Sequence, residues 1–303
     1  MKKIKSILKS ESFVVAFRKK DSSASYVFED WSTLRSFSFV KNPVGKWRAD
    51  PFLFEQGANT FLFVEEASRI TGKGILKVCR LNDKHPKFKT VLKRKYHLSF
   101  PNVFRFRGKI FMVPETGESG SVQLFECVSS IYHWSESKTL LNNTFSVDSF
   151  FLGEQQEDTS ELWTYDLGKN SLMLYRLTTD GSYELADSIA DPDYTLRPAG
   201  RPFYFRGDLM VPFQDCRESY GGGIYFVYAN DLSALPNVAF RFCCNKDFLN
   251  SLFNTTIFRG IHTYSCTNSY EVVDFKIKTF SFIGFLGKVL QRFIVFRKRP
   301  CDC

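Results

Sequence analysis

The stretch Trp47-Arg48-Ala49-Asp50-Pro51-Phe52-Leu53-Phe54, answered by Phe61-Leu62-Phe63-Val64-Glu65-Glu66, decides the architecture. Aromatic and branched side chains run along both halves. Gly57-Ala58-Asn59 between them carries turn chemistry, so the pair predicts a β-hairpin. A carboxylate stands at the mouth of the first strand, and two more close the second.

The shape recurs along the chain. Pro101-Asn102-Val103-Phe104-Arg105-Phe106 leads through Gly108 into Lys109-Ile110-Phe111-Met112-Val113. Arg201-Pro202-Phe203-Tyr204-Phe205 leads through Gly207 into Asp208-Leu209-Met210-Val211, and Thr256-Ile257-Phe258 precedes Gly260. Read as turn markers, Gly57, Gly108, Gly207 and Gly260 stand 51, 99 and 53 residues apart. The double interval holds a further unit, Val147-Asp148-Ser149-Phe150-Phe151-Leu152 followed by Glu161-Leu162-Trp163-Thr164-Tyr165. Five units of roughly 50 residues, each with several short strands, are the signature of a β-propeller. A lone blade leaves both faces of its sheet exposed, and packing around an axis buries them. The expectation is an all-β, five-bladed propeller over residues 1–275, with repeats starting near 50, 100, 148, 200 and 257. Residues 12–17 read as an edge strand, and Gly221-Gly222-Gly223 as a tight bend.

The formal charge of the 303-residue chain is +9. Between residues 275 and 300 there are seven basic residues and no acid, and without them the charge falls to +2. The body is therefore near neutral, which argues against nucleic acid as its partner. In residues 276–303, Phe282, Ile283, Leu286, Val289, Leu290, Phe293 and Ile294 fall on one helical face. A short amphipathic helix with basic flanks suits the plane of an anionic membrane, or packs on the side of the propeller. It is too short to span a bilayer. The eight cysteines show no paired metal-ligand spacing. No apolar run follows the basic N-terminus, so no signal peptide is expected and the thiols read as reduced. The expected location is cytoplasmic, peripheral at the inner face of the membrane.

Inner strands of a propeller turn their first residues into a central funnel. Asp50, the His97 and Ser99 region, Asp148, Arg197 with Arg201, and the Arg259 and His262 region occupy those positions. Glu66, Glu115, Gln214 and Asp215 occupy the matching end of the next strand. A lone Asp at a strand start reads as a cap, but its repetition at blade mouths reads as a site. Clustered carboxylates suit glycosyl transfer, which needs a base or nucleophile and an acid with pKa values pushed apart. Arginines supply bidentate contacts to phosphate or carboxylate. The constellation requires no metal, although its carboxylates could hold a divalent ion, and no other cofactor is expected.

Arg48-Ala49-Asp50-Pro51-Phe52-Leu53-Phe54, Glu65-Glu66, Tyr96-His97-Leu98-Ser99-Phe100-Pro101, Val113-Pro114-Glu115, Arg197-Pro198-Ala199-Gly200-Arg201 and Gln214-Asp215-Cys216 together resemble one known group. It is the five-bladed propeller domain of glucosamine inositolphosphorylceramide transferase-like proteins, which also occurs in bacterial surface-polysaccharide proteins. The likeness covers roughly residues 45–275 and extends in architecture to family-43 glycoside hydrolases. Those hydrolases use an Asp of the first blade, a second Asp and a Glu acid. The resemblance thus implies Asp50, Asp148 and Glu115 as catalytic residues, although Glu115 stands in a different blade from the usual acid. It implies substrate contacts from Arg197, Arg201, His97, Glu66, Gln214, Asp215 and His262.

The expected activity is that of a glycosyltransferase in bacterial capsule or lipopolysaccharide assembly. It would move a sugar, plausibly a furanose, from an activated donor to a glycan or lipid-linked acceptor, with the basic tail on the membrane. The alternatives are a family-43 type hydrolase and a non-catalytic glycan-binding propeller.

Overall fold

The computed structural model describes residues 9–20, 25–152 and 159–280. The first strands, β1 (Lys9–Lys19) and β2 (Ser38–Phe39), belong to a blade completed only at the far end of the chain. Between them, 3-10 turns at Val27–Glu29 and Trp31–Ser36 pack Phe28 and Trp31 into the core. Blade one is β3 (Lys46–Gln56), β4 (Asn59–Ser68), β5 (Gly74–Arg80) and β6 (Lys89–Leu92). Blade two is β7 (Ser99–Phe106), β8 (Lys109–Glu115), β9 (Ser121–Cys127) and β10 (Trp134–Asn142). Blade three is β11 (Ser146–Phe151), β12 (Glu161–Asp166), β13 (Ser171–Leu177) and β14 (Tyr183–Ala190). Blade four is β15 (Arg197–Pro198), β16 (Phe203–Phe205), β17 (Asp208–Asp215), β18 (Gly223–Tyr228) and β19 (Arg241–Asn245). Blade five joins β20 (Phe258–Cys266) and β21 (Tyr270–Phe280) to β1 and β2, in the order β20, β21, β1, β2. Every pairing is antiparallel.

Aromatic side chains fill the seams between blades. Phe52 meets Phe100 edge-on at 4.7 Å between blades one and two, and Phe104 meets Phe151 at 5.1 Å between blades two and three. Phe28 is wedged among Phe203, Phe226 and Tyr264 of blades four and five. The many phenylalanines of the sequence thus serve as the packing between sheets.

Three sequence expectations change. Residues 12–17 are an edge only in part: β1 pairs with β21 over its whole length, and the two-residue β2 covers its outer side at Ala16 and Phe17. Gly260 is not a hairpin turn. It lies within β20, and the chain reverses later, after Cys266. The propeller does not stop at residue 275, because β21 runs to Phe280. The helix expected over residues 282–294 lies outside the described residues. Among the described residues, no helix is long and apolar enough to cross a membrane.

Candidate active site

The repeat places one irregularity at the same point of successive inner strands. The ladder shifts register between Ala49 and Phe52, between Ser99 and Asn102, and between Val147 and Phe150. At these bulges Asp50, Phe100 and Asp148 adopt φ values of +48°, +47° and +52°. A bulge re-aims a side chain, and Asp tolerates the left-handed region better than most residues. In blade five the shift between Ile261 and Thr263 leaves His262 at the corresponding place. These bulges turn Asp50, Asp148 and His262 into one buried cluster.

The second strands supply the opposing groups. Ala49 pairs with Glu65, Ser99 with Glu115, Arg197 with Gln214 and Thr263 with Asp274. Asp50 is held on all sides. Its Oδ2 accepts the Phe100 N–H at 3.0 Å, its Oδ1 accepts the Thr263 hydroxyl at 3.1 Å, and its own N–H donates to Asp274 Oδ2 at 2.9 Å. His262 Nδ1 lies 3.0 Å from Asp274 Oδ2 and 3.4 Å from Asp50 Oδ1. Its Nε2 lies 2.5 Å from the Tyr220 hydroxyl. Burial opposes charge on His262, yet Asp274 and Asp50 outweigh it and raise its pKa above the ordinary histidine value. Asp50, His262 and Asp274 could also chelate a cation, since one donor atom from each lies within 4.8 Å of the others.

Across the mouth, the Arg197 guanidinium binds two carboxylates. Its Nε donates to Asp148 Oδ2, and its Nη2 lies 3.6 Å from Glu115 Oε2. The Ser99 hydroxyl donates to the same Glu115 oxygen at 2.9 Å, and the Tyr220 ring lies 4.6 Å below the guanidinium. Burial raises Glu115 above the ordinary glutamate value, with Arg197 offsetting part of the rise. Burial likewise pushes Asp148 up to about 7, against the pull of Arg197 and with the push of Glu115. Arg197 and Glu115 keep 16% side-chain exposure each, so this half of the cluster faces solvent.

Glu65 completes the cluster. Burial, then the charges of Asp50 and Glu115, hold its carboxyl well above the ordinary value. His97 Nδ1 accepts the Gly74 N–H at 3.1 Å, so the ring proton stands on Nε2, which faces Glu65 Oε1 at 3.5 Å. Burial lowers the His97 pKa, consistent with a neutral ring.

Of the expected residues, Asp50, Asp148, Glu115, Arg197, His97 and His262 come together. Glu66 does not. It faces the other side of β4, bound to Lys46, Arg48 and Lys77 at 2.8, 2.9 and 3.2 Å. Gln214 is buried, its amide nitrogen donating to the Pro198 carbonyl at 2.9 Å. Asp215 is paired with Arg217 at 2.7 Å, where the Arg217 side chain is 56% exposed. Arg201 lies at the far end of the inner strands, donating to the Val103 carbonyl at 2.9 Å. Glu65, Asp274, Thr263 and Tyr220 were not anticipated. Counting six residues from each strand start would have found one of them: β8 gives Glu115, β17 gives Gln214 and β4 gives Glu65.

Fold and site define a five-bladed propeller with a buried acidic cluster in its central funnel. Residues 11–236 match the family described as glucosamine inositolphosphorylceramide transferase 1, N-terminal, and the chain belongs to that family. It is 31% identical over 185 residues to glucosamine inositolphosphorylceramide transferase 1 of Arabidopsis thaliana, covering 57% of this chain and 24% of that one. The protein of the same name from Oryza sativa subsp. japonica is 28% identical over 185 residues, covering 57% and 25%. The chain thus spans about a quarter of the length of the curated relatives it matches. Among solved structures, the catalytic domain of Coprinopsis cinerea GH62 alpha-L-arabinofuranosidase superposes with a TM-score of 0.50 at 13% identity, covering 77% of this chain and 90% of that one. The GH43_1 enzyme from Xanthomonas citri gives 0.50 at 10% identity, covering 78% and 88%. These likenesses show the fold.

Proposed function

We propose that this chain is a glycosyltransferase that moves a sugar from an activated donor to a glycan or lipid-linked acceptor in the central funnel. The observation that carries the reading is the Arg197 guanidinium shared by Asp148 and Glu115, with Asp50 held by separate donors on the other side. Two carboxyl groups in unlike surroundings are what acid and base roles require. The family it belongs to is named for the N-terminal part of a transferase, which supports a part in glycosyl transfer.

In this reading Asp50 is the base or nucleophile. As base it takes the proton of the acceptor hydroxyl while that oxygen forms its bond to the anomeric carbon. Glu115, whose pKa is raised by burial, gives a proton to the departing oxygen of the donor. Arg197 steadies the negative charge that remains on a phosphate leaving group. Asp148 holds Arg197 in place. His262 and Asp274 fix the Asp50 backbone and carboxylate, and His97 with Glu65 forms the floor. The finer reading is a furanose donor and bacterial surface-polysaccharide assembly, which rests on the resemblance of the motifs alone. The basic tail beyond β21, residues 281–303, would hold the funnel against anionic lipid at the inner face of the membrane.

The test is turnover by purified protein on a panel of nucleotide- and phosphate-activated sugars, with and without glycan acceptors. Donor consumption that requires acceptor supports the proposal. Cleavage of aryl furanosides without any activated donor would replace it with a hydrolase. Glycan binding with no turnover on any donor would replace it with a binding propeller.

A further inference from the structure

A cavity opens at the end of the inner strands away from the acidic cluster. Its walls are the far ends of the inner strands: Phe54 of β3, Phe104 and Arg105 of β7, Arg201 to Tyr204 beside and within β16, and Cys266 of β20. Asp50 and Phe54 are four residues apart on one strand, which at ~3.3 Å per residue separates the two mouths by about 13 Å. The free volume is about 260 Å³.

The lining has two kinds of group. Phe203 and Tyr204 are the more open aromatic rings, with Tyr204 42% exposed at the rim, and the buried Phe54 and Phe104 close the wall behind them. Arg105 and Arg201 also line it, together with one carboxylate, Glu55, which already accepts the Ser269 N–H at 3.2 Å. Arg201 is the unusual one. Among the described residues, its guanidinium makes one hydrogen bond, from Nη1 to the Val103 carbonyl. A guanidinium carries five N–H donors in a fixed fork. Burial pulls its pKa below the usual arginine value, with Glu55 compensating in part. A charged fork that is short of partners, facing a cavity walled by aromatic rings, is matched by an anion carried on a sugar ring.

We propose that this far mouth is a binding site for a single pyranose-sized sugar unit bearing a carboxylate or a phosphate. The anion pairs with the Arg201 fork, and the sugar's C–H face lies on Phe203 and Tyr204. The site is separate from the acidic funnel and does not rest on the activity proposed there.

The test is equilibrium binding to the purified chain by calorimetry. The probes are glucuronate, glucose 6-phosphate, glucose and inorganic phosphate. Wild-type protein is expected to bind at least one anionic sugar tenfold or more tightly than glucose and than free phosphate. The preference between glucuronate and glucose 6-phosphate identifies the anion. Arg201→Gln is expected to lose that binding by tenfold or more, and Asp148→Asn in the other mouth to retain it. Should Arg201→Gln fail to fold, Tyr204→Ala at the exposed rim is expected to weaken binding about fivefold. Equal affinity for glucose and the anionic sugars would overturn the proposal. So would binding unchanged in Arg201→Gln and Tyr204→Ala, binding lost in Asp148→Asn, or no binding of any probe.

Discussion

Asp50 illustrates how one residue can be fixed by backbone and side chain together. Its φ of +48° is a position that Asn also tolerates. Asp50→Asn should therefore keep the fold, as circular dichroism would show, while donor turnover falls roughly 10²- to 10⁴-fold, the usual worth of a positioned acid or base. Glu65 makes a second prediction, about pH. Its folded pKa lies above the ordinary 4.5, so the folded state holds this proton longer than the unfolded chain. Stability from this group is present below pH 4.5 and is lost as pH rises through the folded pKa. Glu65→Gln mimics the protonated acid. Its Tm relative to wild type should rise steadily as pH is taken upward from 4.5. A Tm difference independent of pH would show that Glu65 stays ionised in the fold.

At the scale of the strand, period two decides which acids reach the funnel. Glu65 and Glu66 are neighbours on β4, and a one-residue slip exchanges the faces of the sheet. Glu66 was expected in the site because it closes the same hairpin, but its carboxylate is the hub of Lys46, Arg48 and Lys77. Glu66→Gln should accordingly lower stability by about 3 kcal/mol in denaturant unfolding, since it leaves the largely buried Arg48 short of its partner. KM should be unaffected. A raised KM at unchanged stability would return Glu66 to the site. Gly260 belongs to the same scale. A Cβ there would stand 2.0 Å from the Gly221 carbonyl, on the loop that carries Tyr220. Gly260→Ala should destabilise by about 1–3 kcal/mol, as overpacking does, and should displace Tyr220 from His262. A wild-type unfolding midpoint would contradict this.

The repeat was legible in the sequence because hairpins with Phe-rich strands and turn glycines recur at measurable spacing. Asp50, Asp148 and Glu115 were legible because they recur at the blade mouths. The bulges were not, because a register shift leaves no compositional mark, and they are what aim Asp50, Asp148 and His262 together. Asp274 and Thr263 were missed for a related reason. Reading Gly260 as a turn hides the correct alignment of blade five.

For the molecule as a whole, closure of the ring is the central physical fact. β1, from one end of the chain, is paired along its length with β21 from the other. The seam is locked by Arg18 on Glu271, which also accepts the Val27 N–H and the Tyr264 hydroxyl at 2.9 and 2.8 Å. Removing residues 1–20 would expose β21 as an unpaired edge and unseat Asp274, which holds Asp50 from that strand. Such a truncation is expected to give no cooperative thermal transition, whereas a native-like Tm would mean that the ring closes without β1. Arg201 shows the limit of motif reading at this scale. It stands four residues from Arg197 in sequence, yet Arg197 lies against Asp148 while Arg201 lines the cavity at the far ends of the inner strands.

The most direct measurement is the rate of acceptor-dependent donor consumption by wild-type protein, Asp50→Asn and the surface control Glu161→Gln, side by side. Chemistry in the acidic funnel predicts a wild-type rate, near-complete loss in Asp50→Asn and full activity in Glu161→Gln. Equal turnover in all three folded proteins would contradict it and would move the reaction, with its catalytic groups, away from the funnel.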